Sequence, residues 1–190
     1  MTAHTGRARV LEGAAARGLE VEVVDRRAAD SLEQAAELLG LETRPIVKSL
    51  VVRRHTPEGT PVEYQFALIP GDRQISWAKL PAVVGVRALS LPSPELALEA
   101  IGWESSTITP LGSTVAWPVF ADASMVGGRI TMGAGEAGYG AFVEADDLIA
   151  AYGATVPISA SKPGTNELTR RDADRPISRM AGSRGSLISL

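Results

Sequence analysis

Eight residues, Pro45-Ile46-Val47-Lys48-Ser49-Leu50-Val51-Val52, restrict the fold of this chain more than any other stretch. The run is apolar and rich in β-branched residues. Its one proline stands first, where a missing backbone donor is tolerated. It reads as a strand. Strand side chains alternate faces, so Ile46, Lys48, Leu50 and Val52 share one side while Val47, Ser49 and Val51 share the other. Both sides are mostly apolar, which predicts an interior strand with one cation at its middle. An ammonium in such a place needs an acid, a cluster of carbonyls or an anionic ligand, because burying it alone is costly. The chain has three lysines, Lys48, Lys79 and Lys162, and Lys48 is the one set inside an apolar run. The plainer alternative is a lysine whose stem lies on the sheet while its head reaches water.

Around this strand the pattern predicts helices and strands in mixed order. Arg7–Leu19 is Ala-rich with Val10, Leu11, Ala14 and Ala15 at helical spacing, and Gly18 is its stop signal. Val21–Val24 reads as a short strand. Asp30 or Ser31 caps the next helix, whose apolar face is Leu32, Ala35, Ala36, Leu38 and Leu39, and Gly40 ends it. Val62–Ile69 is a strand that pairs with the Lys48 strand as a hairpin across the turn at Thr56–Thr60. Pro70-Gly71-Asp72-Arg73 reads as an exposed turn. A short helix is expected over Trp77–Val84, limited by Pro81, and a strand over Val86–Leu91.

Further on, Ser93-Pro94-Glu95 starts a helix to about Ile101: a capping hydroxyl, a proline in the first turn and an acid that the helix dipole favours. Gly102–Thr114 is a loop. Val115–Phe120, Gly128–Met132 and Tyr139–Val143 are strands, Asp146–Tyr152 a helix stopped by Gly153, and Thr155–Ile158 a last strand. Hairpins alternate with helical crossovers, so the fold class is α+β, with a mixed, largely antiparallel curved sheet flanked by helices. One folded domain over residues 7–160 is expected, followed by a disordered, mildly basic tail over 161–190.

Composition prunes the chemistry. Zero cysteines exclude disulfides and thiolate nucleophiles, and His4 and His55 are the only histidines. A Ser-His-Asp triad or a histidine-based zinc site is therefore not expected, and neither is a metal or another cofactor. Aromatics make up 5% of the chain, so the core must be built from Val, Leu, Ile and Ala. A net charge of -3 argues against a general nucleic-acid coat protein, including a DNA-binding one, while a local basic patch remains open. No apolar run reaches the length of a membrane span and the N-terminus lacks the apolar core of a signal peptide, so a cytoplasmic protein is expected.

The loop Gly102-Trp103-Glu104-Ser105-Ser106-Thr107-Ile108-Thr109-Pro110-Leu111-Gly112 is too long and too rich in small residues to be a minimal connector. It can aim backbone amides and hydroxyls at an anion or an ester carbonyl, which makes Thr109, Pro110 and Gly112 candidate ligand contacts. A surface loop with good turn residues is the alternative. Trp103, inside that loop, is the tryptophan best placed to meet a base or ribose. Gly133–Gly138, with Gly135 and Gly138, invites a phosphate-loop reading, but its glycine spacing matches neither nucleotide fingerprint, and a hairpin connection is the default. Asp122 ends an apolar strand, a common place for functional carboxylates and for turn-forming ones.

Taken in order, these stretches resemble the YbaK/ProX family of free-standing aminoacyl-tRNA deacylases, related to the editing insertion of bacterial prolyl-tRNA synthetases. The residues that carry the resemblance are the Lys48 strand, Leu68–Arg73, Ser93-Pro94-Glu95-Leu96, Gly102 through Thr109-Pro110-Leu111-Gly112, Asp122, and Gly133–Gly138. The resemblance spans about Arg9 to Ala160. It implies hydrolysis of the ester of a wrongly charged tRNA, such as Cys- or Ala-tRNA(Pro). The partners it implies are the 3′ CCA end of aminoacyl-tRNA and, in addition, prolyl-tRNA synthetase.

The family's functional lysine falls on Lys48 and its pocket glycine on Gly102, where a Cβ would intrude on the substrate. The resemblance further implies that Lys48 positions the 3′ end, with water or a substrate group as the attacking species and backbone donors at the oxyanion. Where the family has Pro-Gly in its Gly-x-x-Pro-Gly-x-x-Ser-Pro loop, this chain has Ser105-Ser106, and Thr109 replaces the later serine. Two rivals remain: a non-catalytic tRNA- or nucleotide-binding module with the same pocket, and an esterase acting on another aminoacyl substrate.

Overall fold

The computed structural model describes residues 5–29, 31–55, 60–75, 80–81, 85, 88–105, 107–158 and 160–161. Four helices and ten strands are assigned among them. Helix α1 (Gly6–Ala15) starts at Thr5, whose hydroxyl accepts from the Ala8 amide. It ends four residues earlier than the pattern predicts. The amide of Leu19 turns back to the Ala14 carbonyl at 3.0 Å, with Gly18 in the left-handed conformation at φ 67°. Strand β1 (Glu22–Asp25) leads to α2 (Leu32–Leu39), capped by Ser31 Oγ on the Gln34 amide and closed by left-handed Gly40.

The Lys48 stretch forms β2 (Val47–Arg54) and pairs antiparallel along its whole length with β3 (Glu63–Pro70), as the hairpin reading requires. β2 lies inside a five-stranded sheet of order β5-β2-β3-β6-β9, where β5 is Leu89–Ser90, β6 is Val119–Asp122 and β9 is Thr155–Ile158. β6 runs parallel to both β3 and β9, so the sheet is mixed. A second, antiparallel sheet has the order β1-β8-β7, with β7 at Arg129–Gly133 and β8 at Tyr139–Glu144. Short strands β4 (Gln74–Ile75) and β10 (Ala160–Ser161) pair separately. Helices α3 (Pro94–Ile101) and α4 (Ala145–Tyr152) complete the set.

β6 begins four residues later than the sequence suggests. Pro118 cannot donate to a ladder, and the Trp117 amide turns back to the Val115 carbonyl at 3.0 Å. The helix expected over Trp77–Val84 lies outside the described residues except for Leu80 and Pro81. So does the tail beyond Ser161, and so do Val86 and Arg87 of the strand expected over Val86–Leu91.

Both faces of the β2–β3 hairpin are covered, as its two apolar sides demand. Val47, Val51, Phe66 and Leu68 enter the larger core with Val10 and Ala14 of α1, Ile101 of α3 and Leu148 of α4. Val52, Ala67 and Ile69 enter a smaller core with Leu80 and Phe120 on the opposite face. The two sheets meet where β2 begins: Ile46 bridges Thr131 in parallel, and the Thr131 amide donates to the Pro45 carbonyl at 2.9 Å. That junction puts β7 beside the Lys48 strand and opens a cleft between them.

Candidate active site

The cleft has a volume of about 340 Å³. Its floor is Ile46–Leu50 of β2, one wall is Thr131, Met132 and Gly133 of β7, and the other is Ser31, Leu32, Ala35 and Leu39 of α2. Arg26 and Ala29 close one end, and Ser105 and Ile108 reach over from the long loop. The walls are largely aliphatic. The polar side chains of the lining belong to Arg26, Ser31, Lys48, Ser49, Ser105 and Thr131.

Lys48 is half-buried and finds a cluster of carbonyls, one of the three partners its position demands. Its Nζ donates to the Gly71 carbonyl at 3.3 Å and also to the Arg73 carbonyl. Both belong to the turn after β3, which the register sets opposite β2: Val47 pairs with Pro70 and Lys48 with Ile69. Desolvation pushes the Lys48 pKa below the usual lysine value, and the charges of Asp72 and Glu33 partly oppose it. An ammonium has three N–H donors, so two carbonyl bonds leave one for a ligand. The turn is less exposed than the sequence suggests: Asp72 and Arg73 are half-buried, and Asp72 Oδ1 is enclosed without a hydrogen-bond partner among the described residues. Ser49 Oγ, beside Lys48 in the cleft lining, is likewise unpartnered.

The long loop is fixed from three sides. Arg9 of α1 donates from Nη1 to the Gly102 carbonyl at 3.1 Å and from Nη2 to the Gly112 carbonyl at 2.9 Å, so one guanidinium ties both ends. Tyr152 Oη of α4 donates to the Pro110 carbonyl at 3.0 Å. The middle of the loop lies on β7 at Gly133, where an added Cβ would stand 2.8 Å from the carbonyl oxygens of Thr107 and Ile108. Glycine is therefore required there for the loop to reach the cleft. The Thr107 carbonyl accepts from the Gly135 amide at 3.2 Å.

The residues singled out from the sequence are placed as follows. Lys48 lies in the cleft. Gly102 sits at the left-handed C-terminus of α3, with Thr114 and Arg9 as its neighbours, and acts as the start of the loop that roofs the cleft rather than as part of its lining. Trp103 is 3% exposed and faces the core, with the Arg9 guanidinium 3.8 Å from its ring centroid. It is thus not offered to the cleft. Thr109 is fully buried and engages Met132 Sδ and the Leu111 amide. Pro110 and Gly112 are held by Tyr152 and Arg9. Asp122 caps a 3-10 turn, its Oδ1 accepting from the Ser124 amide at 2.8 Å and hydroxyl at 2.6 Å. Gly135 packs on the Trp103 ring and Gly138 forms the β7–β8 turn.

Of these nine, the cleft contains Lys48. Arg9, Arg26 and Ser49 were not singled out by the sequence pattern. Arg9 carries no local signal, because its partners lie about a hundred positions away. Arg26 is half of an Arg-Arg pair just past a short strand, which was the one available hint. Among the described residues no three His, Asp or Glu side chains gather to hold a metal ion, and no helix is long and apolar enough to cross a membrane.

Comparison with known proteins places this geometry. The family model of the aminoacyl-tRNA editing domain matches residues 26–151, which contain every strand that lines the cleft. The proline--tRNA ligase of Thermosipho melanesiensis is 33% identical over 93 residues, 49% of this chain and 15% of that protein. The proline--tRNA ligase of Thermosipho africanus is 36% identical over 83 residues, 44% of this chain and 14% of that protein. The chain thus spans a small part of the length of these curated relatives. Among solved structures, a candidate trans-editing enzyme for prolyl tRNA synthetase matches with a TM-score of 0.72 and 24% identity, covering 85% of this chain and 99% of that one. A hypothetical protein matches with a TM-score of 0.72 and 21% identity, covering 80% and 99%. At such identities the likeness concerns the fold, and the fold is the same mixed α+β architecture. With its sheet junction, cleft and loop inside the matched span, the chain belongs to the aminoacyl-tRNA editing domain family.

Proposed function

We propose that this chain is a trans-acting aminoacyl-tRNA deacylase that hydrolyses the ester of mischarged tRNA, with Cys- or Ala-tRNA(Pro) as the substrate type, in the cytoplasm. The observation that supports it most is the Lys48 ammonium, held by two turn carbonyls with one donor to spare, in a largely aliphatic cleft of about 340 Å³. The cleft is of a size to enclose one small aminoacyl group with its ribose. Aliphatic walls suit a small side chain, while the Lys48 ammonium supplies a directed polar contact.

In the reaction, the oxygen of a water attacks the ester carbonyl carbon and negative charge gathers on the carbonyl oxygen. The free N–H of Lys48 faces that developing charge and orients the ester. Fixed donors in a partly dehydrated site are worth more to a transition state than to the neutral ester, since the charge they meet grows during the reaction. The carbon–oxygen bond to the ribose then breaks, and the ribose oxygen takes up the proton that the water gives up. The products are the free amino acid and tRNA with its terminal hydroxyl restored. The neighbouring ribose hydroxyl is a second route for that proton, in a chain with no usable histidine or cysteine. Gly102 acts through the loop: its left-handed conformation turns the chain out of α3, Thr107 and Ile108 lie on Gly133 of β7, and Ser105 and Ile108 roof the site. Prolyl-tRNA synthetase, the protein to which the curated relatives belong, is the natural supplier of the mischarged tRNA.

The test is deacylation of a panel of tRNAs charged with labelled amino acids, including Cys- and Ala-tRNA(Pro), by wild type and Lys48→Ala. Fast loss of one mischarged species, abolished by the substitution, supports the reading and names the substrate. Salt-sensitive tRNA binding with no turnover of any species would replace it with a binding module. Hydrolysis of a small aminoacyl ester with no salt-sensitive tRNA binding would replace it with an esterase of another class.

A further inference from the structure

A second cation opens on the same cleft and has no part in the chemistry above. Arg26 follows β1, is half-buried, and lines both the Lys48 cleft and an adjoining groove of about 600 Å³ formed with Asp25, Arg27, Gln34 and Glu37. Its backbone is pinned by the bond from its amide to the Gly138 carbonyl at 2.9 Å, and its Nε donates to the Tyr139 carbonyl at 3.4 Å. Among the described residues no carboxylate pairs with it. By contrast, Arg7, Arg54 and Arg129 each hold a glutamate. Asp25 beside it accepts at Oδ1 from the Arg27 amide at 3.0 Å, and Arg27 takes up a left-handed φ of 62°.

A guanidinium cannot shed its proton, so partial burial without a counter-charge is a standing cost that a bound anion would offset. Burial does push the Arg26 pKa downward, with no opposing charge to raise it. Its planar fork suits a phosphate in particular. Asp25 and Glu37, further along the groove, disfavour a second phosphate beyond the first.

We propose that Arg26 binds the 5′-phosphate of the terminal nucleotide of the RNA at the mouth shared by the two depressions, while Lys48 faces the ester inside. This rests on the deacylase reading for its substrate. Arg26 is a positioning residue in that scheme. It fixes where the terminal sugar stands relative to Lys48, and it lets the cleft tell a nucleotide ester from a simple aminoacyl ester.

The experiment compares wild type, Arg26→Gln and Arg26→Lys on charged tRNA and on the matching aminoacyl-adenosine, which has no phosphate. Arg26→Gln raises KM for charged tRNA about tenfold with kcat held within about twofold, and Arg26→Lys restores most of the loss. On aminoacyl-adenosine the Arg26→Gln penalty shrinks below about threefold, because the charge-assisted contact is missing from both proteins. Equal penalties on the two esters, or none on either, overturn the proposal.

If wild type cleaves neither ester, the deacylase reading fails, and the phosphate site is then decided by binding of the CCA trinucleotide alone. Weakening by about tenfold in Arg26→Gln, with a salt slope shallower by about 0.7, upholds the site. Unchanged affinity, or no binding by wild type, overturns it.

Discussion

Alanine at Gly135 and at Gly138 separates two roles that the sequence leaves open for the β7–β8 turn. Both glycines have positive φ, 70° and 83°, so either alanine adopts a left-handed conformation at a cost of about 1–2 kcal/mol. Their surroundings differ. A Cβ on Gly135 would lie 2.5 Å from Cζ3 and 2.6 Å from Cη2 of Trp103, whereas a Cβ on Gly138 meets nothing nearer than 3.6 Å. Trp103 cannot step aside: it is 3% exposed and the Arg9 guanidinium stands 3.8 Å from its ring centroid. Overpacking of this kind adds about 1–3 kcal/mol to the backbone term. Gly135→Ala is therefore expected to cost about 2–5 kcal/mol in all, and Gly138→Ala about 1–2 kcal/mol.

For a chain of this size each kcal/mol is worth roughly 2–4 °C in Tm. The two variants should then melt roughly 4–20 °C and 2–8 °C below wild type, respectively. Calorimetry gives the order, and tryptophan emission reports whether the Trp103 environment changes in Gly135→Ala alone. Variants that melt together, or a Gly138→Ala that is the less stable, would rule this difference out. In either case the ring would not be wedged against Gly135, and the turn glycines would be free to serve a ligand.

Two further expectations concern the loop and the lysine. Arg9→Ala removes the bonds to the Gly102 and Gly112 carbonyls and should raise KM for charged tRNA several-fold while kcat for bound substrate falls less; limited proteolysis should show new cleavage within 102–112. The desolvated Lys48 ammonium has a folded-state pKa below its unfolded value, so the deacylation rate, corrected for spontaneous hydrolysis, should fall as pH rises through that lowered pKa, and Lys48→Met should abolish the fall. The sign for stability is opposite: between the folded and unfolded pKa values the unfolded chain binds more protons, so in that window wild type should gain stability with rising pH relative to Lys48→Met.

The elements were legible where local chemistry decides them. Ser93-Pro94-Glu95 starts α3 at Pro94 as its cap and dipole require, and the alternation around Lys48 placed β2 inside a sheet with cover on both faces. The need of Lys48 for partners was legible too, although which of acid, carbonyls or anion would meet it was decided by the turn that follows β3. Side-chain direction in irregular segments was not legible. Trp103 lies in a polar loop yet turns inward, because Arg9 and Gly135 enclose its ring from two distant parts of the chain. Asp122 ends its strand as a functional carboxylate would, yet its Oδ1 accepts from the Ser124 amide and hydroxyl as a turn cap. Arg9 and Arg26 act on partners more than ninety positions away, a relation no local pattern encodes.

If Lys48 stabilises the transition state of ester hydrolysis in this cleft, removing its donor slows the chemical step. Single-turnover deacylation of the fastest mischarged tRNA by wild type and Lys48→Met tests it most directly, since methionine keeps most of the stem and removes the donor. A rate loss of about 10²–10³-fold is expected, with tRNA affinity retained within about threefold and an unchanged fold by circular dichroism. A Lys48→Met protein that hydrolyses the ester at close to the wild-type rate would contradict it.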